Sequence, residues 1–252
     1  MQKINDGSIT LIEETHTYKL KDDPEFEFTS CTGFVQYFFK PFDRIGIANN
    51  LTESHPNYQH LTSQELVEEW DKTALEGTLV HSEIENFILK EETPSHPKSK
   101  IAVAWIKKNI LEKNRYDIFP EVIIYSKELA LAGMIDLLLY DRETNSYKLL
   151  DWKTSRKIET KSFNNKTGNH KATSNLMDCN HVHYSIQISL YRYILEKEYG
   201  LNVSDTAILH LKDDDGILYT TKYYKNVIEE MLKADRDRLK LKAEESLTRD
   251  FI

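Results

Sequence analysis

The chain has 252 residues, of which 40% are hydrophobic and 29% charged, and its formal net charge is −8. This composition predicts an ordered globular protein and argues against a generally basic protein that coats nucleic acid, although a local basic strip stays possible. The two cysteines, Cys31 and Cys179, lie far apart with no Cys-x-x-Cys motif, which disfavours a disulfide framework, a zinc knuckle and an iron–sulfur cluster. Because we find neither a long apolar run nor a targeting segment, we expect a cytoplasmic protein with no membrane partner.

The amino-terminal part predicts two small elements and one long helix. Residues 8–20 alternate polar and apolar positions, which is typical of a hairpin, and residues 29–40 predict a short aromatic helix. Residues 50–62 have the composition of a loop. From 63 to 90, apolar or small residues recur at spacings of three and four after Ser63, a suitable cap, so we expect a long helix there.

The rest of the chain predicts alternating helices and strands. In chain order we expect a helix over 100–114, strands over 119–126, 128–140 and 146–153, a loop over 156–181, a helix over 182–200, a hairpin over 205–224 and a last helix over 224–246. With no repeats and no linker, the pattern favours one α/β domain. We expect it to comprise an accessory segment over 1–62, a core over 63–222 and a carboxy-terminal helix over 223–252.

Two of the predicted core strands carry charged residues. Asp136 lies in the first strand of a predicted hairpin, and Asp151 and Lys153 share one face of the second, because side chains two apart on a strand point the same way. Burying an unpaired charge is costly, so these residues need partners. They form either a structural ion pair between the strands or a site for a divalent cation that prefers oxygen ligands, such as Mg²⁺ or Mn²⁺. We favour the metal site.

Several short motifs, in order along the chain, carry a resemblance to a known family. They are "HTYKL" at 16–20, "TSCTGFVQYFF" at 29–39, "GTLVHSEIE" at 77–85, "GMID" at 133–136, "DWK" at 151–153 and "QISLY" at 187–191. The pair "GMID" and "DWK", separated by a hairpin, resembles the signature of the PD-(D/E)XK nuclease superfamily. Within it the sequence is most similar to the RecB-type nucleases, including phage-type and mitochondrial genome maintenance exonucleases.

This resemblance implies a restriction-endonuclease-like core, which is a central mixed β-sheet flanked by helices, here with a helical amino-terminal portion. It implies catalysis by Asp136, Asp151 and Lys153. One or two Mg²⁺ or Mn²⁺ ions would be held by the two aspartates, His81 and the backbone carbonyl of Trp152. The alternative for His81 is an ordinary histidine on an apolar helix face. The scarcity of cysteines excludes the branch of the family that carries an iron–sulfur cluster.

Two glutamates are further candidates for the metal site. Glu121 opens a predicted strand and could add a carboxylate, although solvated glutamates at strand ends are common. Glu85 lies one turn after His81 on the same helix face, where it belongs either to the site or to a salt-bridge network.

Contacts with nucleic acid are expected on two helices. The resemblance assigns Gln187 and Tyr191, one helical turn apart, to holding the nucleic acid and the hydrogen bonds of the active site; the alternative is a surface amide and a half-buried tyrosine. Ser30 and Thr32 lie at a predicted helix start, where they either bind a phosphate or simply cap the helix.

A basic insertion over 156–185 provides a third candidate for nucleic-acid contact. It begins just after Lys153, and its five basic and two acidic residues give a charge of +3. Loops longer than about 12–15 residues are uncommon in compact domains and are often functional or disordered. We expect a flexible strap whose Lys161, Lys166 and Lys171 track the nucleic-acid backbone; the alternative is a solvated, disordered loop.

The function expected from these motifs is metal-dependent hydrolysis of DNA that leaves a 5′ phosphate and a 3′ hydroxyl. Our first choice is an exonuclease that acts on single-stranded or free-ended DNA, with possible protein partners in replication or recombination, in a bacterial or phage-infected cell. The rivals are a structure-specific endonuclease, a nuclease-like subunit that binds DNA without cleaving it, and an interaction protein whose acidic patch meets a basic partner.

Overall fold

The predicted amino-terminal hairpin is formed by β1 (Ile9–Ile12) and β2 (Thr17–Leu20), which pair antiparallel. The computed structural model describes residues 3–249. The next elements are β3 (Thr29–Ser30), α1 (Cys31–Gln36), α2 (Arg44–Ser54), α3 (Ser63–Lys90) and α4 (Pro97–Asn109). The hairpin, the short aromatic helix and the long helix predicted from the sequence are therefore present.

Helix α2 occupies part of the segment 50–62, for which the sequence predicts a loop. Asp43 caps this helix by accepting the Gly46 N–H at 2.9 Å. Only Ala48 of the helix is buried. The loop prediction is wrong here because a helix that buries one side chain shows no apolar periodicity.

Helix α3 begins where the sequence predicts, but its cap is Thr62 and not Ser63. The Thr62 hydroxyl accepts the Glu65 N–H at 3.2 Å, and the Glu65 carboxylate accepts the Thr62 N–H at 2.7 Å. This reciprocal capping box satisfies two backbone donors at once.

The central sheet has six strands in mixed orientation. Besides β3, its strands are β4 (Tyr116–Ser126), β5 (Leu131–Asp141), β6 (Ser146–Lys153), β7 (Val203–Leu211) and β8 (Gly216–Thr220). Antiparallel β4 runs along one side of β5, while parallel β3 and antiparallel β6 share its other side. β7 continues the sheet parallel to β6, and β8 ends it antiparallel.

Helices cover both faces of this sheet. The remaining helices are α5 (Asn180–Glu198), α6 (Lys225–Leu232) and α7 (Arg236–Arg249). Val80 and Ile106, from α3 and α4, pack against Trp152 in one core cluster. Phe34 and Ile228, from α1 and α6, belong to a second cluster, which includes α5. The α/β class and the central mixed sheet flanked by helices are confirmed, whereas the division into accessory, core and terminal segments stays a prediction.

The carboxy-terminal helix predicted over 224–246 is in fact two helices, α6 and α7. The Ala234 N–H bonds back to the Met231 carbonyl at 3.1 Å, and the Asp235 carboxylate accepts the Arg238 N–H at 3.1 Å. These contacts end the first helix and cap the second. Within residues 3–249, no helix combines the length and the apolar character needed to cross a membrane.

The insertion after β6 has little regular secondary structure, but hydrogen bonds hold residues 166–178 in place. Thr173 is fully buried, and its hydroxyl donates to the Phe38 carbonyl at 2.8 Å. The Asn169 amide donates to the Phe39 carbonyl at 2.9 Å. The flexible strap predicted from the sequence therefore does not extend through this part, because the turn after α1 anchors it.

Candidate active site

A gap in strand pairing along β5 creates the candidate site. On the side away from β4, β3 pairs only with the first two residues of β5, and β6 pairs only from Leu137 onward. Residues 133–136 therefore have no neighbouring strand on that side. The Asp136 carboxylate enters this gap and accepts the Trp152 N–H of β6 at 2.7 Å, a bond that a continuous ladder would make with a backbone carbonyl.

The backbone of Trp152 also directs its carbonyl towards the gap. In a regular strand the N–H and C=O of one residue point to the same side, and the Trp152 N–H points to Asp136. The indole of Trp152 is buried in the core cluster below α3. The carbonyl predicted as a metal ligand thus shares the edge of β6 that faces Asp136.

Glu121 brings a second carboxylate from β4. It lies in the middle of that strand and not at its start as the sequence predicts, because β4 begins at Tyr116, and its position in the register is opposite Asp136. Its backbone φ of 46° is left-handed, a conformation that typically costs a non-glycine residue about 1–3 kcal/mol. Its Oε2 atom is buried with no hydrogen-bond partner among the described residues.

His81 reaches the same place from α3. Its Nδ1 lies 3.7 Å from Asp136 Oδ1. His81, Glu121 and Asp136 each offer one ligand atom, and these atoms lie within 4.8 Å of one another. Such a group can share one divalent cation, so the structure brings the predicted histidine and two predicted carboxylates together.

Asp151 and Lys153 stand side by side on β6, as the two-residue period of a strand predicts. Asp151 Oδ2 lies 2.5 Å from Lys153 Nζ, and the Asp151 side chain is only 2% exposed. The Lys153 ammonium also lies 4.9 Å from the centroid of the Tyr184 ring on α5. A carboxylate and an aromatic face therefore hold the ammonium from two directions.

Burial and mutual repulsion raise the pKa values of two carboxyl groups. The pKa of Glu121 rises to about 9, mainly because the group is buried and further because of the charges of Asp136, Glu85 and Asp151. Burial raises the pKa of Asp151 to about 6, an effect that Lys153 opposes and Asp136 reinforces. Burial alone would lower the pKa of Lys153, but the charges of Asp151 and Asp136 outweigh it and raise that pKa.

This set of donors fits a hard divalent cation. Carboxylates and a backbone carbonyl are the oxygen ligands that Mg²⁺ and Mn²⁺ prefer, and an imidazole is compatible with Mn²⁺. The protein alone leaves a buried Glu121 oxygen without a hydrogen bond from any described residue, next to carboxylates that repel it. A bound cation would relieve both defects.

Gln187 and Tyr191 lie beside the gap in β5. The Gln187 amide donates to the Tyr191 hydroxyl at 2.7 Å. A Cβ atom at Gly133 would come within 2.5 Å of the Tyr191 ring, so this position must be glycine for α5 to pack here. Burial is the main cause of the raised pKa of Tyr191, and Cys31 and the charge of Asp151 add to it, which is consistent with a ring near the carboxylate of β6.

The structure gives Ser30 the ordinary capping role. Its hydroxyl accepts the Gly33 N–H at 3.0 Å and so caps α1. Thr32 is exposed in the first turn of the same helix. Because α1 has only six residues, its start provides a weak anion site, and phosphate binding at these two residues stays a prediction.

The predicted basic residues of the insertion are all exposed. They are Lys161, Lys166 and Lys171. The Lys166 ammonium lies 5.9 Å from the centroid of the Phe163 ring, and Lys171 lies near Glu230 of α6, whose pKa it helps to lower after the larger effect of Lys233. Their contact with nucleic acid stays a prediction.

Tyr184 lies next to the site, although no sequence motif indicates it. It lies three residues before Gln187 and seven before Tyr191, so the three side chains share one face of α5. This helical spacing was the available signal, but an aromatic residue near a predicted helix start is also a common core residue. Its contact with Lys153 follows from how α5 docks on the sheet.

The amino-terminal hairpin borders the site on another side. Tyr18 of β2 is buried and packs in one cluster with Ala132 of β5. Burial is the main cause of its raised pKa, which Cys31 and the carboxylates of Glu121 and Asp136 raise further. The motif at 16–20 therefore closes one wall of the candidate site.

Comparison with known proteins agrees with this geometry. A family model of the PD-(D/E)XK nuclease superfamily matches residues 46–249, which is most of the chain. The protein therefore belongs to the PD-(D/E)XK nuclease superfamily. A search of curated proteins finds no match. The superfamily prediction is confirmed, and the assignment to the RecB-type branch stays a prediction.

Proposed function

We propose that this protein is a metal-dependent deoxyribonuclease whose products carry a 5′ phosphate and a 3′ hydroxyl. The observation that carries this proposal is the cluster of His81, Glu121 and Asp136 at the gap along β5, with Asp151 and Lys153 side by side on the neighbouring strand. Buried carboxylates that repel one another weaken a fold, so stability alone does not account for them. Membership of a nuclease superfamily supports phosphodiester hydrolysis as their purpose.

The geometry supports a set of proposed ligands for the cation. Asp136, Asp151 and Glu121 would hold one or two Mg²⁺ or Mn²⁺ ions, and His81 and the Trp152 carbonyl would complete the set. When bound, the cation supplies the positive charge that polarises the scissile phosphate and stabilises the departing oxygen.

Lys153 would act as a fixed positive charge. Its ammonium is held between the Asp151 carboxylate and the Tyr184 ring, and its raised pKa keeps it protonated at neutral pH. A cation held in advance at this position can neutralise charge that develops on the phosphate without first reorganising. We therefore assign it to stabilising the transition state and not to binding the metal.

We infer an exonuclease that acts on single-stranded or free-ended DNA from the order of the sequence motifs, which resembles that of RecB-type nucleases. The hydrogen-bonded pair of Gln187 and Tyr191, next to the gap, is suited to hold the strand near the carboxylates. Partners in replication or recombination would be consistent with this activity.

One assay tests the proposal. Linear and closed circular DNA, each single- and double-stranded, is incubated with the protein and Mg²⁺, Mn²⁺ or EDTA. We expect cleavage of linear single strands that EDTA abolishes, loss of cleavage in Asp136→Asn and retention in the matched control Asp141→Asn. Cutting of closed circles would instead indicate an endonuclease. Binding in Ca²⁺ without cleavage under any condition would indicate a nuclease-like binding subunit and overturn the proposal.

A further inference from the structure

An aromatic pair lies on the same face of α3 as His81. The rings of Phe42 and Trp70 have centroids 5.7 Å apart with an interplanar angle of 55°, and Phe42 is 65% exposed. Trp70 precedes His81 by eleven residues, so at about 100° per residue the two side chains differ by only about 20° around the helix axis. At about 1.5 Å per residue they lie about 16 Å apart along it.

The helix surface between these two residues is accessible and uncharged. Ala74, Gly77 and Thr78 lie within about 60° of the line from Trp70 to His81. Ala74 and Thr78 are exposed, and Gly77 is half-buried, with the Thr154 hydroxyl lying beside it. A chain that runs from the aromatic pair to the metal cluster would therefore pass Thr154 but would meet neither a bulky nor a charged side chain of α3.

The acidic residues of this part of α3 point elsewhere and are paired. Around the helix axis, Asp71 lies about 80° and Glu76 about 140° away from His81. Asp71 pairs with Arg44 at 2.6 Å, and Glu76 pairs with Lys98 at 2.8 Å. A polyanion on the accessible face is thus spared direct repulsion from them.

The aromatic pair is held in place by a contact between helices. Arg44 of α2 donates to the Val67 carbonyl at 2.8 Å and to Asp71 at 2.6 Å, both on α3. These bonds fix α2, and the Phe42 residue just before it, against the helix that carries Trp70. A rigid aromatic surface loses little conformational freedom when a flat ligand stacks on it.

We propose that Phe42 and Trp70 form a stacking platform for unpaired bases of a single-stranded nucleic acid that runs along α3 to the metal cluster. The inference rests on the proposed nuclease function and specifies its substrate class. In a duplex each base is covered by its neighbours, whereas an unpaired base can place its face on an aromatic side chain. The separation of about 16 Å corresponds to about five nucleotides at the duplex rise of about 3.4 Å, and to fewer in an extended strand.

The test compares four proteins for binding of labelled oligothymidylate in Ca²⁺: wild type, Trp70→Leu, Trp70→Phe and the control Leu75→Ala. Leu75 is 70% exposed on the same helix but about 140° from Trp70. Trp70→Leu should weaken binding by about 5- to 150-fold, the range typical of one lost stacking contact. Trp70→Phe should stay within a few-fold of wild type, and Leu75→Ala should be unchanged.

A scan of single abasic sites along the same strand adds a second measurement. One or two adjacent abasic positions should weaken binding to wild type, and Trp70→Leu should lose that sensitivity. Phe42→Leu changes a more exposed position and should also weaken binding. It replaces Trp70→Leu in the test if that variant fails to fold.

The outcomes separate this proposal from the nuclease function. Normal cleavage by wild type, together with equal binding by Trp70→Leu and Leu75→Ala, would overturn the platform and leave the nuclease standing. Neither cleavage nor binding by wild type would overturn both. Equal affinity of wild type for duplex and single strands of the same length would also overturn the platform.

Discussion

Asp136 and Asp141 lie five residues apart on β5 and are both buried, but their charges are satisfied in opposite ways. The Asp141 carboxylate accepts from Arg115 Nε at 2.9 Å and from the Glu143 N–H at 3.1 Å. Asp136 accepts the Trp152 N–H, lies 3.7 Å from His81 Nδ1 and is close to the carboxylates of Glu121 and Asp151. The middle of β5 therefore holds an aspartate with an incomplete set of donors, and the last residue of β5 is an aspartate with a complete set.

The electrostatic consequences have opposite signs. Hydrogen bonding to Arg115 is the main reason that the pKa of Asp141 falls to about 2. Beside Asp136, burial and neighbouring charges raise the pKa of Glu121 to about 9. A buried aspartate thus stabilises the fold at the last residue of β5, while carboxylates weaken the fold at the middle of the strand. The partners of a buried acid, and not its burial, therefore distinguish a structural role from a functional one.

Asp136→Asn should have the largest effect. The amide keeps an oxygen for the Trp152 N–H but loses the charge that would hold a cation, so the cleavage rate should fall by about 10³-fold or more. The metal-free protein should unfold at the same or a higher temperature, because repulsion from Glu121 is relieved. Initial rates in Mg²⁺ and thermal unfolding in EDTA measure the two quantities. Near-normal cleavage would remove Asp136 from the set of ligands.

The cations near the two aspartates, Lys153 and Arg115, provide a second test of the difference between Asp136 and Asp141. Lys153→Met should lower the cleavage rate by about 10²-fold, because one preorganised charge near the transition state is lost. The Mg²⁺ concentration for half-maximal rate should change little. Arg115→Met, which removes the cation beside Asp141, should keep the rate. A parallel loss of Mg²⁺ affinity in Lys153→Met would contradict the role assigned to it.

Asp141→Asn should change stability and not activity. A buried carboxylate that loses charge-assisted hydrogen bonds typically costs about 1–3 kcal/mol of unfolding free energy. Urea unfolding at neutral pH measures this loss, and the cleavage rate of the folded variant serves as its control. If this variant cleaves as poorly as Asp136→Asn, the two aspartates of β5 do not differ as a structural residue differs from a functional one.

The smallest effect concerns pH. Because the pKa of Asp141 is lowered from 3.8 to about 2 in the folded protein, its stabilisation is fully present above pH 3.8 and is lost as the pH falls towards 2. The stability difference between wild type and Asp141→Asn should therefore shrink through this window. Urea unfolding at several acidic pH values checks it, and a difference that stays constant down to pH 2 would exclude Asp141 as the source.

Local sequence patterns were sufficient to predict the helices and strands in which apolar residues recur with a strong periodicity. The spacing of apolar residues predicted α3 over its whole length, and strand alternation placed Asp151 and Lys153 on one face. The same patterns failed for α2, which buries only Ala48, and for the break between α6 and α7 near Asp235. Helix α2 leaves little apolar signal because it is mostly exposed, and the break between α6 and α7 falls in a charged stretch with no glycine or proline to mark it.

The chemistry that is available can be predicted from the sequence alone, because residue type and strand or helix spacing are local properties. These properties placed Asp136, Asp151 and Lys153 in core strands, and the family motifs indicated His81. The three-dimensional fold was needed to show that β3 and β6 leave a gap along β5, that Glu121 lies near Asp136, and that Tyr184 covers Lys153. Strand register and helix docking depend on contacts between residues far apart in the chain, and no local pattern specifies those contacts.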